Sequence, residues 1–212
     1  YLATLLEKFT AKDESALRTW TGYIEEAMSE IEDSSTKIKL YATLTHIFLD
    51  ILKDDENAAE SAKNILNLDP SSVVAFKTCF SCNERREDYF ECCELFKSFP
   101  IDKFTSEDRK YYAQKTLRFA LINLYDTDKM LFSIRTLIAN HPEIVLPLMD
   151  QMFRWQEKSD LSREQLICFF DMFEKQSDDY LKAVFHAIRA ELLIKEGRDE
   201  EGLALLDAAF RA

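Results

Sequence analysis

Glycine and proline are nearly missing from this chain, with three glycines and four prolines among 212 residues. So few of either exclude a fold built on many tight turns, and they exclude a long flexible linker. Gly22, Gly197 and Gly202 stand alone, so no phosphate-cradling glycine loop can be assembled. No apolar run is long enough to cross a bilayer as a helix. Positive charge is also scarce: 27 Lys and Arg against 39 Asp and Glu leave a net charge of −12. A surface of that sign repels phosphate backbones and argues against direct nucleic-acid binding. Residues 1–12 lack the basic-then-apolar order of a signal peptide, and no N-x-S/T acceptor occurs. Tyr1 at one end, and an amphipathic stretch Leu203–Phe210 running almost to Ala212 at the other, read as cuts through a longer protein. The five cysteines are Cys79, Cys82, Cys92, Cys93 and Cys168. An odd count, with several at apolar positions, fits reduced thiols in cytosol or nucleus.

What the chain does have is helical periodicity. Apolar residues recur at steps of three and four almost throughout, without strand-like alternation. The pattern predicts about twelve helices, near 2–9, 13–32, 36–53, 56–68, 72–84, 87–98, 106–125, 127–140, 143–157, 162–175, 178–196 and 198–211. The punctuation agrees. Asp33-Ser34-Ser35 and Asp69-Pro70-Ser71-Ser72 offer N-caps. Ser162-Arg163-Glu164-Gln165 has capping-box spacing, and Gly197 can take the left-handed conformation that closes a helix. Pro147, inside an apolar run, is expected to delay or kink its helix.

A longer period underlies these helices. Ala58 and Cys92 are 34 residues apart, as are Ala62 and Phe96. The row continues as Ala58, Cys92, Met130, Cys168 and Gly202, at separations of 34, 38, 38 and 34. Four residues later stand Ala62, Phe96, Ile134, Met172 and Leu206, all apolar. Positions four apart lie on one helix face, so each such face is expected to be covered by a neighbouring helix. A period of this length is the signature of stacked helix pairs.

On these residues the chain resembles the tetratricopeptide-repeat family, best over 36–100 and 183–211. Asn64-Ile-Leu-Asn-Leu-Asp-Pro70 resembles the phrase that closes the family's repeat, and the stretch from Gly197 to Ala209 resembles its second helix with the preceding glycine turn. The resemblance implies an all-α, right-handed superhelical solenoid of antiparallel helix pairs, one helical-repeat domain over 1–212. The family's first helix keeps Gly or Ala near its middle, where this chain has His46 and Phe80, and only Ala190 conforms. Bulky residues there imply irregular curvature. Members that grip a chaperone's C-terminal carboxylate use Lys and Asn on successive first helices. Those places hold Thr43, Ile47, Lys77 and Ser81, of which only Lys77 fits, so that clamp is not expected.

Candidate chemistry is thin. Cys79-Phe80-Ser81-Cys82 followed by Cys92-Cys93 offers four thiolates to zinc, but C-x-x-C inside a helix lacks the usual knuckle turn, and buried core thiols are the expected reading. His46, His141 and His186 share no local motif. Acidic runs such as Glu25-Glu26 and Asp54-Asp55-Glu56 read as solvated helix ends. Trp20-Thr-Gly-Tyr23 resembles the aromatic half of the half-a-TPR repeat of RNA-processing scaffolds, with core packing of both rings expected. Leu146–Trp155, rich in Met and aromatics, reads as inter-helix core with some capacity as an adaptable peptide surface.

Charge is uneven. Residues 101–140 net +2 while the rest nets −14, so an acidic partner segment can dock there. The expected function is a noncatalytic scaffold that binds a partner peptide or subunit, with Lys77, Lys110, Lys115 and Arg118 as candidate partner-binding residues. No metal or cofactor, no direct nucleic acid and no membrane contact are expected. The alternative is a structural subunit of a large assembly, of half-a-TPR, proteasome-lid or meiotic and chromosome-segregation type.

Overall fold

The computed structural model describes residues 14–140, 152–154, 162–174 and 179–211. Over these residues the chain is helical and contains no strand. It divides into two compact units, residues 1–105 and 106–212.

Among the described residues the first unit holds five α-helices: α1 Glu14–Met28, α2 Ser34–His46, α3 Asp55–Leu68, α4 Val73–Arg85 and α5 Tyr89–Ser98. Each forms where its sequence pattern requires. On α1, Leu17, Thr21 and Met28 make one buried stripe. Asp33, Asp54, Ser72 and Asp88 cap α2 to α5 by accepting the backbone N–H three residues on, at 2.8, 3.1, 3.4 and 3.2 Å. Neighbouring helices α2, α3, α4 and α5 pack in sequence. Leu44, Phe48, Ala58, Ala62 and Cys82 form their shared core. Beneath α4 and α5 lies a phenylalanine cluster. Phe76 stands 4.7 Å from Phe99 and 4.8 Å from Phe104, centroid to centroid.

The second unit holds α6 Ser106–Arg118, α7 Thr127–Asn140, α8 Arg163–Glu174, α9 Asp179–Lys195 and α10 Asp199–Arg211. Helix α6 pairs with α7, and α8, α9 and α10 pack in order. The buried Thr116 and Ser133 hydroxyls meet at 2.9 Å between α6 and α7. The capping box at Ser162 closes both ways: Gln165 N–H donates to Ser162 Oγ at 3.2 Å, and Ser162 N–H to Gln165 Oε1 at 2.7 Å. Phe170 packs on Phe153 and Phe185.

One turn recurs between paired helices. Lys53, Glu87, Tyr125 and Gly197 all have positive φ, at 54°, 60°, 54° and 77°. Each lies five residues before the row Ala58, Cys92, Met130 and Gly202. In three of the four the next residue is the capping aspartate, Asp54, Asp88 or Asp126. The turns come in two widths. Asp88 N–H and Arg198 N–H bond the carbonyls of Asn83 and Leu193, five residues back, whereas Asp54 N–H and Asp126 N–H bond Phe48 and Ala120, six back. The wider turns follow π-helical segments, Ile47–Ile51 and Phe119–Leu124. These segments begin just after His46 and Arg118, which hold the same register twelve residues before the row. At that register Phe80 is buried and Ala190 is buried. His46 is partly exposed and Arg118 exposed. A π turn adds a residue to one helical turn and so rotates the backbone locally, and both π segments start beside a polar residue at the register where the other two hairpins bury Phe80 and Ala190.

The positive-φ sites carry an expected result. A non-glycine residue in the left-handed region is strained by about 1–2 kcal/mol, part of which glycine's freer unfolded chain cancels. Glu87→Gly should therefore stabilise by about 0.5 kcal/mol, and Gly197→Ala should destabilise by about 1 kcal/mol. Urea unfolding of the two variants checks the opposite signs.

The turn carboxylates also set an acid limit. Hydrogen bonds from Thr36 hold Asp33 below the usual carboxylate range. The Arg85 guanidinium does the same for Asp55, and the Lys129 ammonium for Asp126. Burial pushes Asp54 up, but its hydrogen bonds from Arg18 and Asn57 together outweigh it, and the net shift is downward. A depressed folded-state pKa means that the unfolded chain binds more protons. The stabilisation is complete above the unfolded value of about 4 and is lost as pH falls through the lower folded values. The urea midpoint should therefore fall steeply below about pH 4, and Asp54→Asn with Asp126→Asn should flatten that fall.

Two sequence expectations are corrected. Cys168 is exposed, so the buried row breaks in α8. The buried face there is made by Leu166, Ile167, Phe169 and Phe170. Trp20 and Tyr23 are 51% and 59% exposed, and their rings meet edge to face at 6.1 Å instead of entering the core. The expected helix at 2–9, Pro147, His141 and most of Leu146–Trp155 lie outside the described residues.

Candidate functional site

The four cations singled out from sequence fall on two helices in different units. Lys77 is half-buried on α4. Lys110, Lys115 and Arg118 share α6. At 100° per residue, Lys115 and Arg118 lie within one turn of each other and flank Tyr111, while Lys110 stands toward a different side. Tyr111 is 49% exposed, and Lys115 Nζ lies 4.8 Å from its ring centroid. Such stacking pre-positions the ammonium and leaves an aromatic edge and two cations on one face. Arg118 ends the regular helix where the π segment begins, and it is exposed. The aromatic member, Tyr111, had a readable signal in its i, i+4 spacing to Lys115.

A second feature was not legible in the sequence. Helices α3, α4 and α5 enclose a groove of about 390 Å³ in the first unit. Glu56 and Glu60 line it from α3, with Asp88 and Glu91 at the start of α5, and Cys79 and Asn83 of α4 form its floor. Lys63 and Arg86 reach across its edges at 3.4 Å to Glu91 and 3.6 Å to Glu56. Four carboxylates against two cations leave the lining negative.

The cysteines are a packing feature. Cys79, Cys82, Cys92 and Cys93 are buried. Burial pushes Cys79 up to about 12 and Cys82 to about 11, and it raises Cys92 as well. Thiols held in this way are poor nucleophiles. Among the described residues no three His, Cys, Asp or Glu side chains converge as metal ligands. A thiol-reactive disulfide reagent at pH 7 should titrate one cysteine rapidly in the folded chain, Cys168, and all five in denaturant. Rapid release from a second thiol in the folded chain would contradict the burial of the other four.

His186 lies in an ionic cluster between α8 and α9. Its Nε2 is 2.6 Å from Glu174, and Arg189 bridges Glu174 at 3.2 Å and Asp171 at 2.7 Å. This arrangement ties two helices together. Among the described residues no helix is long and apolar enough to cross a membrane. No protein-family model matches the chain, and no curated protein sequence matches it significantly.

Proposed function

We propose that this chain is a noncatalytic protein-binding scaffold of tetratricopeptide-like helix pairs, wound as a right-handed superhelix, that presents exposed helix faces to a partner peptide or subunit. The observation that carries the reading is the recurrence of one hairpin turn, positive φ then helix N-terminus, at Lys53, Glu87, Tyr125 and Gly197. Stacked hairpins of one design leave the outer face of each pair free to vary, which is how repeat proteins acquire binding surfaces. The Tyr111, Lys115 and Arg118 face supports an acidic partner segment. An aromatic ring beside two cations on an otherwise acidic chain gives both buried area and charge complementarity.

The test is affinity purification with crosslinking mass spectrometry on the intact protein, wild type against a Lys110→Glu, Lys115→Glu, Arg118→Glu variant. The partner should crosslink near α6, and the variant should lose it while keeping its thermal melt. Retention of the partner at wild-type level removes this face from the reading. A Lys77→Glu variant tests the α4 position separately. A second reading, a subunit joined to neighbours in a large assembly, draws on Leu203 and Phe210, which stand 60% and 88% exposed on α10. Under that reading Leu203→Glu with Phe210→Glu disrupts a stable multi-subunit co-purification that the α6 variant leaves intact.

A further inference from the structure

We infer that the groove between α3 and α5 is a docking site for a basic peptide segment, anchored by an arginine side chain inserted over α4. The inference rests on the scaffold reading and deepens it by naming a surface and the chemistry of its occupant. Three independent observations carry it. The first is shape: a concavity of about 390 Å³ matches a long side chain and its flanking backbone. The second is a mostly buried polar side chain at the floor. Asn83 is 5% exposed, and its side chain's one hydrogen bond among the described residues is a long one, 3.7 Å from Nδ2 to Cys79 Sγ. Its amide oxygen accepts no hydrogen bond from a described residue. Asn83 lines the groove, and that oxygen is available to a donor placed there. The third is charge. Glu60 on the α3 wall has no ion-pair partner among the described residues, and Glu91 on the α5 wall is held by Lys63 at a loose 3.4 Å.

A guanidinium fits these acceptors better than any other side chain. It carries five N–H donors in a rigid plane, enough in number to serve Glu60, Glu91 and the Asn83 oxygen. Its alkyl stem would lie along Ala59 and Cys79, the apolar part of the lining. An acidic segment is excluded by the four carboxylates, and a second copy of this chain, at −12, is disfavoured by the same repulsion.

Fluorescence anisotropy on the full chain tests the site, with a fluorescein-labelled Gly-Ser octapeptide carrying two arginines and its Arg→Glu counterpart as probes. The arginine peptide should bind, less tightly as salt rises, and the glutamate peptide should not. Glu60→Lys should weaken binding about tenfold or more, and Glu60→Gln by less. Glu25→Lys, an equal change of net charge on exposed α1, should leave binding within about twofold. The proposal is overturned if wild type does not bind the arginine peptide, if Glu60→Lys binds as wild type does, or if Glu25→Lys loses as much. Those outcomes leave the scaffold reading standing as long as the α6 variant still loses its crosslinked partner. Loss of the α6 result alone leaves the groove untouched.

Discussion

Phe76→Ala should destabilise the first unit by about 3–5 kcal/mol, the largest effect expected of any single truncation in that unit. Phe76 has no exposed surface. Its ring is shared by the α4 helix, the end of α5 and the short 3₁₀ turn Ile101–Lys103, through Phe80 at 5.7 Å, Phe99 at 4.7 Å and Phe104 at 4.8 Å. Phe99 and Phe104 also touch each other at 4.6 Å, so a void at Phe76 cannot close without moving both. A site that relaxes poorly sits at the upper end of the range for large-to-small core changes. Val74→Ala, two residues away and 77% exposed, should change stability by less than about 0.5 kcal/mol. Urea unfolding followed by circular dichroism measures both. A Phe76→Ala loss below about 1 kcal/mol would mean that the cluster is not a packing centre.

The helices were legible because their burial obeys a simple period and their ends carry capping residues. Asp33, Ser72 and Ser162 could be named as caps from sequence, and each bonds the amide three residues on. The row from Ala58 to Met130 was legible for the same reason, since a residue facing a neighbouring helix must be apolar or small. Cys168 failed because α8 carries apolar residues on more than one face. With Leu166, Ile167, Cys168, Phe169 and Phe170 in succession, periodicity cannot choose which of them points inward. The recurring turn was not legible because a glycine normally announces positive φ, and here Lys53, Glu87 and Tyr125 adopt it. The aspartate that follows each was the available signal. The groove could not be read at all, since Glu60, Asn83 and Glu91 meet only through the packing of three helices.

The same register that hid the turn makes Gly202 the most constrained glycine. A Cβ built there would stand 2.6 Å from Ile194 Cγ1 and 2.9 Å from the Ala190 carbonyl oxygen. Ala190, fully buried, lies twelve residues before Gly202, and Phe80 lies twelve before Cys92, whose Sγ donates to the Phe80 carbonyl at 3.6 Å. The row residue therefore rests on the backbone of the preceding helix in both hairpins, and its size sets how closely the pair approaches. Cys92 accommodates a thiol at its distance, whereas α9 and α10 have closed to a gap that a side chain cannot enter. Because one of the two clashing atoms is backbone, a rotamer change cannot relieve it. Gly202→Val should destabilise by about 1–3 kcal/mol, even though valine is the better helix former. Gly22 is the control: it lies in α1 with nothing within 4 Å of a built Cβ. Gly22→Ala should stabilise by about 0.5–1 kcal/mol, since only helix propensity acts there. Thermal melts of the two variants should move in opposite directions. Equal shifts of the same sign would show that α9 and α10 do not meet at Gly202.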